Sequence, residues 1–232
     1  MVRNDIISAT KANNLYWLGR YEARVYMTLH LMNKCYDKMI DGHPEEYRDL
    51  YQKLDISGTY TDNESFTLGM LYDDDNPGSI ISAQRYAMDN AILLREDILS
   101  ETLSYLEMSM AMLRRSKQAS DTNITDLQPI IDWSLAFWGS AVQRVQNHRA
   151  LTLLIIGRNV ENIDMLIRFN YPFRRISFAY ESLKRFTANA GEMADGNIQD
   201  QLDELLTIDK FDLSDDEYKY KLIKYINQLI RV

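Results

Sequence analysis

The sequence predicts an all-α fold: a single-domain bundle of long helices with an internal pseudo-repeat, spanning residues 1–232. Four prolines and nine glycines leave few places at which an element could break. Apolar residues recur in alternating steps of three and four over long stretches. Nothing alternates with period two for long enough to make a strand.

The first helix is expected from Asp5 to Met39, with Leu15, Leu18, Val25, Leu29, Met32, Tyr36 and Met39 on one stripe. Gly42 and Pro44 end it, because glycine suits a C-terminal cap and proline cannot continue. A short helix over Glu45–Leu54, a loop over Ile56–Asn63 and one or two helical turns over Glu64–Leu71 follow. Asn76, with Pro77 in the first helical position and Asp73–Asp75 at the positive end of the dipole, marks the start of a long helix. Its stripe runs Ile80, Ala87, Ala91, Leu94, Ile98, Tyr105, Met108 and Met112, so one helix is expected to about Ser116.

Lys117–Thr125 is polar and reads as a linker. Asp126–Gln146 forms the next helix, with Pro129 in its first turn, and a bend near Asn147 leads into a helix over Ala150–Phe169. Pro172 starts another helix carrying Phe173, Ile176, Tyr180 and Leu183, and Gly191–Gly196 breaks again. Two short helices close the chain, Ile198–Thr207 and Asp215–Arg231, the last opened by Ser214 and Glu217 as a capping box.

Composition excludes several classes. A formal net charge of −8 disfavours binding to nucleic acid. The single cysteine, Cys35, rules out an internal disulfide framework and fits a reducing cytoplasm; its apolar neighbours Leu31, Met32 and Met39 point to a buried, inert thiol. Met1 to Ile7 lacks the apolar core of a signal peptide. The greasiest run, Leu151 to Ile156, falls far short of the ~18–20 residues that span a bilayer, so no membrane association is expected. Asp73–Asp75, Arg114–Lys117 and Arg174–Arg175 read as solvated helix ends. Eleven methionines and fifteen tyrosines fit core and bundle-edge positions.

Two segments 138 positions apart are alike. Leu15–Met27 lines up with Leu153–Met165, and Gly19-Arg20 with Gly157-Arg158. A glycine inside a helix costs about 1 kcal/mol against alanine, so two at equivalent places suggest helices that cross closely there. Glu22 falls on the apolar stripe of the first helix, and Glu101 falls between Ile98 and Tyr105 on the seam of the long helix. Buried carboxylates need partners. The arginines at hand are Arg20, Arg24, Arg95 and Arg158. These groups either fix the register of the bundle as salt bridges or line a polar pocket for a small ligand or peptide.

The same residues carry a resemblance. Asn13 to Arg24, then Asn76 to Ile80 with Asn90, Arg95, Ile98, Ser100 and Glu101, then Gly157-Arg158 with Glu161 and Asp164, resemble the alpha-E family, a bacterial helical domain with Glu-Arg motifs. The similarity covers roughly residues 1–170; residues 170–232 match weakly. The family's Glu-Arg pair falls on Ala23-Arg24 in the first copy and on Glu161-Asn162 in the second, so one copy lacks the glutamate and the other the arginine. That reciprocal loss is compatible with Arg24 pairing with Glu161 across the repeat. The resemblance implies genomic company with circularly permuted ATP-grasp ligases and transglutaminase-like proteins, and so a setting in peptide or amide-bond synthesis and processing.

No chemistry announces itself. His30, His43 and His148 each lack the glutamate three residues before them that carboxylate-bridged di-metal bundles use. Zinc spacing, phosphate-binding glycine loops and a serine nucleophile elbow are absent. No cofactor and no metal are expected. Three readings stay open: an accessory or interaction protein beside an ATP-grasp ligase; an enzyme or ligand-binding subunit with a pocket built from Arg20, Glu22, Arg24, Glu101, Arg158 and Glu161; and a purely structural homo-oligomeric bundle.

Overall fold

The computed structural model describes residues 7–56, 60–189 and 193–232. Within them the chain is helical: α1 (Ala9–Ile40), α2 (Glu46–Lys53), α3 (Asn63–Tyr72), α4 (Ile80–Leu93), α5 (Arg95–Gln118), a 3-10 turn (Ile124–Leu127), α6 (Gln128–Arg144), α7 (His148–Arg168), α8 (Phe173–Thr187), α9 (Gly196–Leu205) and α10 (Asp216–Gln228). The described residues contain no strand, only one antiparallel bridge between Ala194 and Ile230. The expected loop at 56–63 and break at 191–196 fall partly outside the described residues. Contacts group the chain into two compact units, Met1–Arg20 with Asn147–Val232 and Tyr21–Gln146. α1 contributes to both.

The first unit is built on α7. Asn147 caps it by accepting the Ala150 amide at 2.9 Å. Its buried residues point in every direction, including Leu153, Leu154, Ile156, Val160, Ile163 and Ile167, as in a helix enclosed by neighbours. α8 lays Ile176, Tyr180 and Leu183 against this core, α9 adds Leu202, and α10 adds Leu222 and Ile226. The chain after Tyr171 is therefore core material, although its sequence carries the weaker part of the resemblance.

α1 and α7 touch backbone to backbone. A Cβ placed on Gly19 would lie 2.1 Å from the Leu154 carbonyl oxygen and 3.1 Å from the Arg158 nitrogen. One placed on Gly157 would lie 2.1 Å from the Tyr16 carbonyl oxygen and 3.1 Å from the Arg20 nitrogen. Each partner atom is related to its counterpart by the same 138-residue offset, so the crossing has local two-fold symmetry. Helix axes packed through ordinary side chains stay about 8–10 Å apart. Only glycine lets the carbonyl of one helix occupy the space of a Cβ on the other, where Cα–H···O contacts form. The close crossing expected from the repeat is present.

The second unit holds the rest of α1 with α2 to α6. Asp62 and Ser65 form a reciprocal capping box at the start of α3. α4 begins later than expected. Ser79, not Asn76, is its N-cap, accepting the Ser82 amide, while Asn76 accepts the Gly78 amide in the preceding turn. A similar correction applies to α10, where Asp215 caps the Glu217 and Tyr218 amides and Ser214 instead donates to Asp212.

The largest departure lies between Ile80 and Ser116. Instead of one helix there are two, broken at Leu94 and again by Leu99, whose backbone sits at φ 65°, ψ 157°. That region is suited to glycine and costs a leucine on the order of 1–3 kcal/mol. Beyond Leu99 the buried positions are Thr102, Leu103, Leu106, Ser109, Met110 and Leu113, one or two residues after the expected stripe. One residue is about 100° of helical rotation, which turns Glu101 out of the seam.

Cys35 is 5% exposed on α1. Burial, reinforced by the Glu46 carboxylate, pushes its thiol up to about 11. Only a small fraction is thiolate at neutral pH, and the thiolate is the nucleophile.

Two outcomes follow from the glycines and the thiol. Gly157→Ala should destabilise the fold by about 3 kcal/mol or more in urea denaturation, because backbone must move to admit the methyl group. Gly139→Ala, on α6 with nothing within 4 Å of an added Cβ, should instead stabilise the isolated chain by about 0.5–1 kcal/mol. Equal effects at the two positions would contradict the crossing. Folded protein should also react with a thiol-specific disulfide reagent at pH 8 at least about ten-fold more slowly than protein unfolded in urea, one thiol titrating in each case.

Candidate functional site

The glycine crossing sets one charged pair. Arg20 follows Gly19 directly, and Glu161 lies one turn beyond Gly157, so packing the two glycines together brings these side chains face to face. Arg20 is 4% exposed and Glu161 0%. Arg20 Nε donates to Glu161 Oε2 at 2.8 Å, and Nη2 reaches the same oxygen at 2.7 Å. Arg20 Nη1 lies 3.4 Å from the Tyr16 hydroxyl oxygen. The guanidinium carbon stands 5.2 Å from the Trp17 ring centre and 5.8 Å from that of Tyr16, within cation–π range.

Burial, the largest single influence, would lower the affinity of Arg20 for its proton, but the charge and hydrogen bond of Glu161, joined by Tyr16 and Asp164, together outweigh it and the pKa rises. Arg20 is therefore a fixed cation at any accessible pH, not an acid or a base. Burial pushes the Tyr16 hydroxyl up, against the opposing charge of Arg20, so it too stays protonated near neutrality.

A second acid extends the network. Asp164, 3% exposed and three residues after Glu161 on α7, accepts from Arg168 Nε at 2.5 Å and from Asn227 Nδ2 at 2.7 Å. Asn227 also donates to the Ile223 carbonyl at 2.7 Å. Lys219, two turns earlier on α10, donates to the Arg168 carbonyl at 3.0 Å and to Asn170 Oδ1 at 2.8 Å. α10 is thus anchored to α7 and its C-terminal turn by polar contacts. Sequence reasoning left Asp164 and Asn227 out of the site. The three-residue spacing of Glu161 and Asp164 on one helix face was the available signal for the first; nothing local marks the second.

The six sequence candidates separate. Arg20 and Glu161 form the pair just described. Arg158 is exposed on α7 of the same unit. Glu22, Arg24 and Glu101 belong to the second unit. There Glu22 is 2% exposed and accepts from the Ser134 hydroxyl on α6, while Arg24 is half-buried. Glu101, expected on the seam, is exposed and lies 3.4 Å from Arg144 at the end of α6. The shifted register after Leu99 puts Thr102 inside in its place, with its hydroxyl 2.8 Å from that of Ser140. Among the described residues no group of three or more His, Cys, Asp or Glu could hold a metal ion, and no helix is long and apolar enough to cross a membrane.

The pair's energetics can be measured directly. Removing one partner of a buried ion pair leaves the other charge uncompensated, at about 3–5 kcal/mol, whereas replacing both with apolar groups of similar size is close to neutral. Arg20→Met and Glu161→Leu should each lower the urea-unfolding free energy by roughly that amount. The double variant should recover most of the loss. Single-variant losses below about 1 kcal/mol would mean the pair is solvated.

These contacts give a Glu-Arg pair assembled between two helices. Glu161 stands where the resemblance sets the motif's glutamate, yet Asn162 follows it, and the arginine comes from α1. The symmetry-related pair would join Arg158 to residue 23, which is alanine. No curated protein matches the chain, and no solved structure matches it. The family model named Alpha-E, described as a predicted alpha-helical domain with a conserved ER motif, matches residues 8–205. That span takes in the repeat, the glycine crossing and both buried acids of α7; it stops before Asn227. This chain belongs to the Alpha-E family.

Proposed function

We propose that this Alpha-E chain is a helical accessory or interaction protein that acts with an ATP-grasp-type ligase, in peptide or amide-bond synthesis or processing. The observation that carries the accessory role is the closed state of the Arg20–Glu161 pair. A group that binds substrate or moves protons needs exposure, or a pKa matched to its task. Arg20 has neither: it is buried, its proton is held more tightly than usual, and its charge is neutralised by Glu161. Glu101 and Arg158 are exposed, with Glu101 engaged by Arg144. The charged residues of the repeat in the first unit therefore support a scaffold better than a reaction centre. The ligase partner and the bacterial setting are what the resemblance implies for such chains, and a reducing cytoplasm is what the single cysteine fits.

The test is to co-express this chain with a circularly permuted ATP-grasp ligase, purify through a tag on either one, and assay ATP-dependent amide-bond formation with and without the chain. Co-elution in both directions and a change in ligase rate of several-fold or more are expected. A ligase that neither binds the chain nor responds to it would overturn the proposal. The transglutaminase-like protein of the same setting serves as a second bait.

A further inference from the structure

We propose that the outward face of α8 is a docking surface for an acidic peptide segment of a partner protein, held by Arg174, Arg175 and Arg185 around Phe178. The inference stands apart from the ligase: it fixes the chemistry of the bound segment, whichever protein carries it.

α8 turns Ile176, Tyr180, Leu183 and Thr187 inward. At 3.6 residues per turn, the three arginines all fall within about 60° of Phe178 on the opposite side. All four are exposed, and Phe178, 73% accessible, leads the exposed large apolar side chains among the described residues. Arg174, Arg175 and Phe178, with Pro172, line an open hollow of about 390 Å³.

The arginines meet no need within the chain. Among the described residues none of the three forms an ion pair, and Glu181, the only acid of α8, is engaged by Lys184 at 2.8 Å. Lys184 also reaches Asp203 at 2.9 Å. The helix gains nothing from Arg174 and Arg175 either, since cations in a first turn oppose its dipole. Arg175 lies over the Tyr171 ring, 4.4 Å from its centre. Stacking holds the guanidinium plane and leaves its N–H edge open. In a chain of formal net charge −8, α8 holds four basic residues and one acid.

These features choose the occupant. Arginine meets a carboxylate or phosphate through a planar fork of N–H donors, so the bound group is anionic. An exposed aromatic ring beside the hollow requires an apolar group next to those anions, which a peptide supplies and a free phosphate does not. A membrane fits less well, because the broad apolar face of α8 is already packed into the core and only Phe178 is left to insert. A long polyanion such as nucleic acid would meet the negative charge of the whole chain. A short acidic segment meets only the local patch, within a screening length of about 10 Å. Arg174 and Arg185 stand about 17 Å apart along the helix. An extended segment covers that distance in about five residues.

The probe is a capped, fluorescein-labelled heptapeptide with two glutamates at each end and a phenylalanine in the centre, read by fluorescence anisotropy at about 50 mM salt. Saturable binding is expected, and the same peptide with glutamine for glutamate should bind at least about ten-fold more weakly. Arg174→Glu with Arg175→Glu should weaken binding roughly ten-fold or more, and Phe178→Ser several-fold. These positions are exposed, and acids in the first turn suit the helix dipole, so the circular dichroism should not change. Arg114→Glu with Arg115→Glu makes the same change of charge at exposed sites on α5 and should alter binding by less than about two-fold. An equal loss in that control would assign the effect to net charge and overturn the surface. Absence of saturable binding, or binding indifferent to the α8 reversals, would overturn it as well. Tighter binding to phosphatidylserine vesicles or to a single-stranded oligonucleotide than to the peptide would refute the choice of occupant.

Discussion

Contact between two backbones is the constraint on which the first unit rests. Where Gly19 and Gly157 face each other, neither helix carries a side chain, and the Leu154 and Tyr16 carbonyls fill the vacated space. This closeness fixes the rotation and the axial offset of both helices at once, because any slip would drive a carbonyl into the backbone opposite. Side chains next to the crossing inherit their positions from it. Arg20 reaches Glu161 with two nitrogens on one oxygen because the glycines bring the two helices within that range. The ion pair is thus a consequence of the packing as much as a cause of it.

The buried charges answer a need of the fold. An arginine held inside the unit beside such a crossing needs compensation, and a carboxylate at close range, together with the rings of Tyr16 and Trp17, makes its burial tolerable. Asp164 repeats the arrangement one turn on, with Arg168 and Asn227 as its donors. Through Asn227 and Lys219 the C-terminal helix is tied to α7, so polar contacts reach from the repeat to a segment beyond the family match. Hydrogen bonds shared along such a network stiffen the first unit.

The helical periods, the breaks at Gly42, Pro172 and Asn147, and the meeting of Gly19 with Gly157 were all legible in the sequence. They were legible because period, helix breakers and paired glycines act locally or recur as a repeat. What escaped has a physical reason in each case. Leu99 adopts a backbone conformation that no leucine advertises, and a single misplaced residue rotates every later position, which carried Glu101 from an expected seam to the surface. The caps at Ser79 and Asp215 were each missed because several polar residues compete for one role within a short span. Asn227 partners Asp164 across 63 residues, and no local pattern encodes such a distance.

The 138 residues between the paired glycines also order events during synthesis. The second unit is one continuous stretch, Tyr21–Gln146, while the first is assembled from the two ends of the chain. At translation rates of about 5–20 residues per second, on the order of ten seconds separate the appearance of Gly19 from that of Gly157. Throughout that interval Arg20 has no carboxylate from α7, and the notch at Gly19 has no helix to fill it. The continuous middle can therefore pack before Gly157 arrives, and the segment that carries Gly19 is buried against α7 only afterwards.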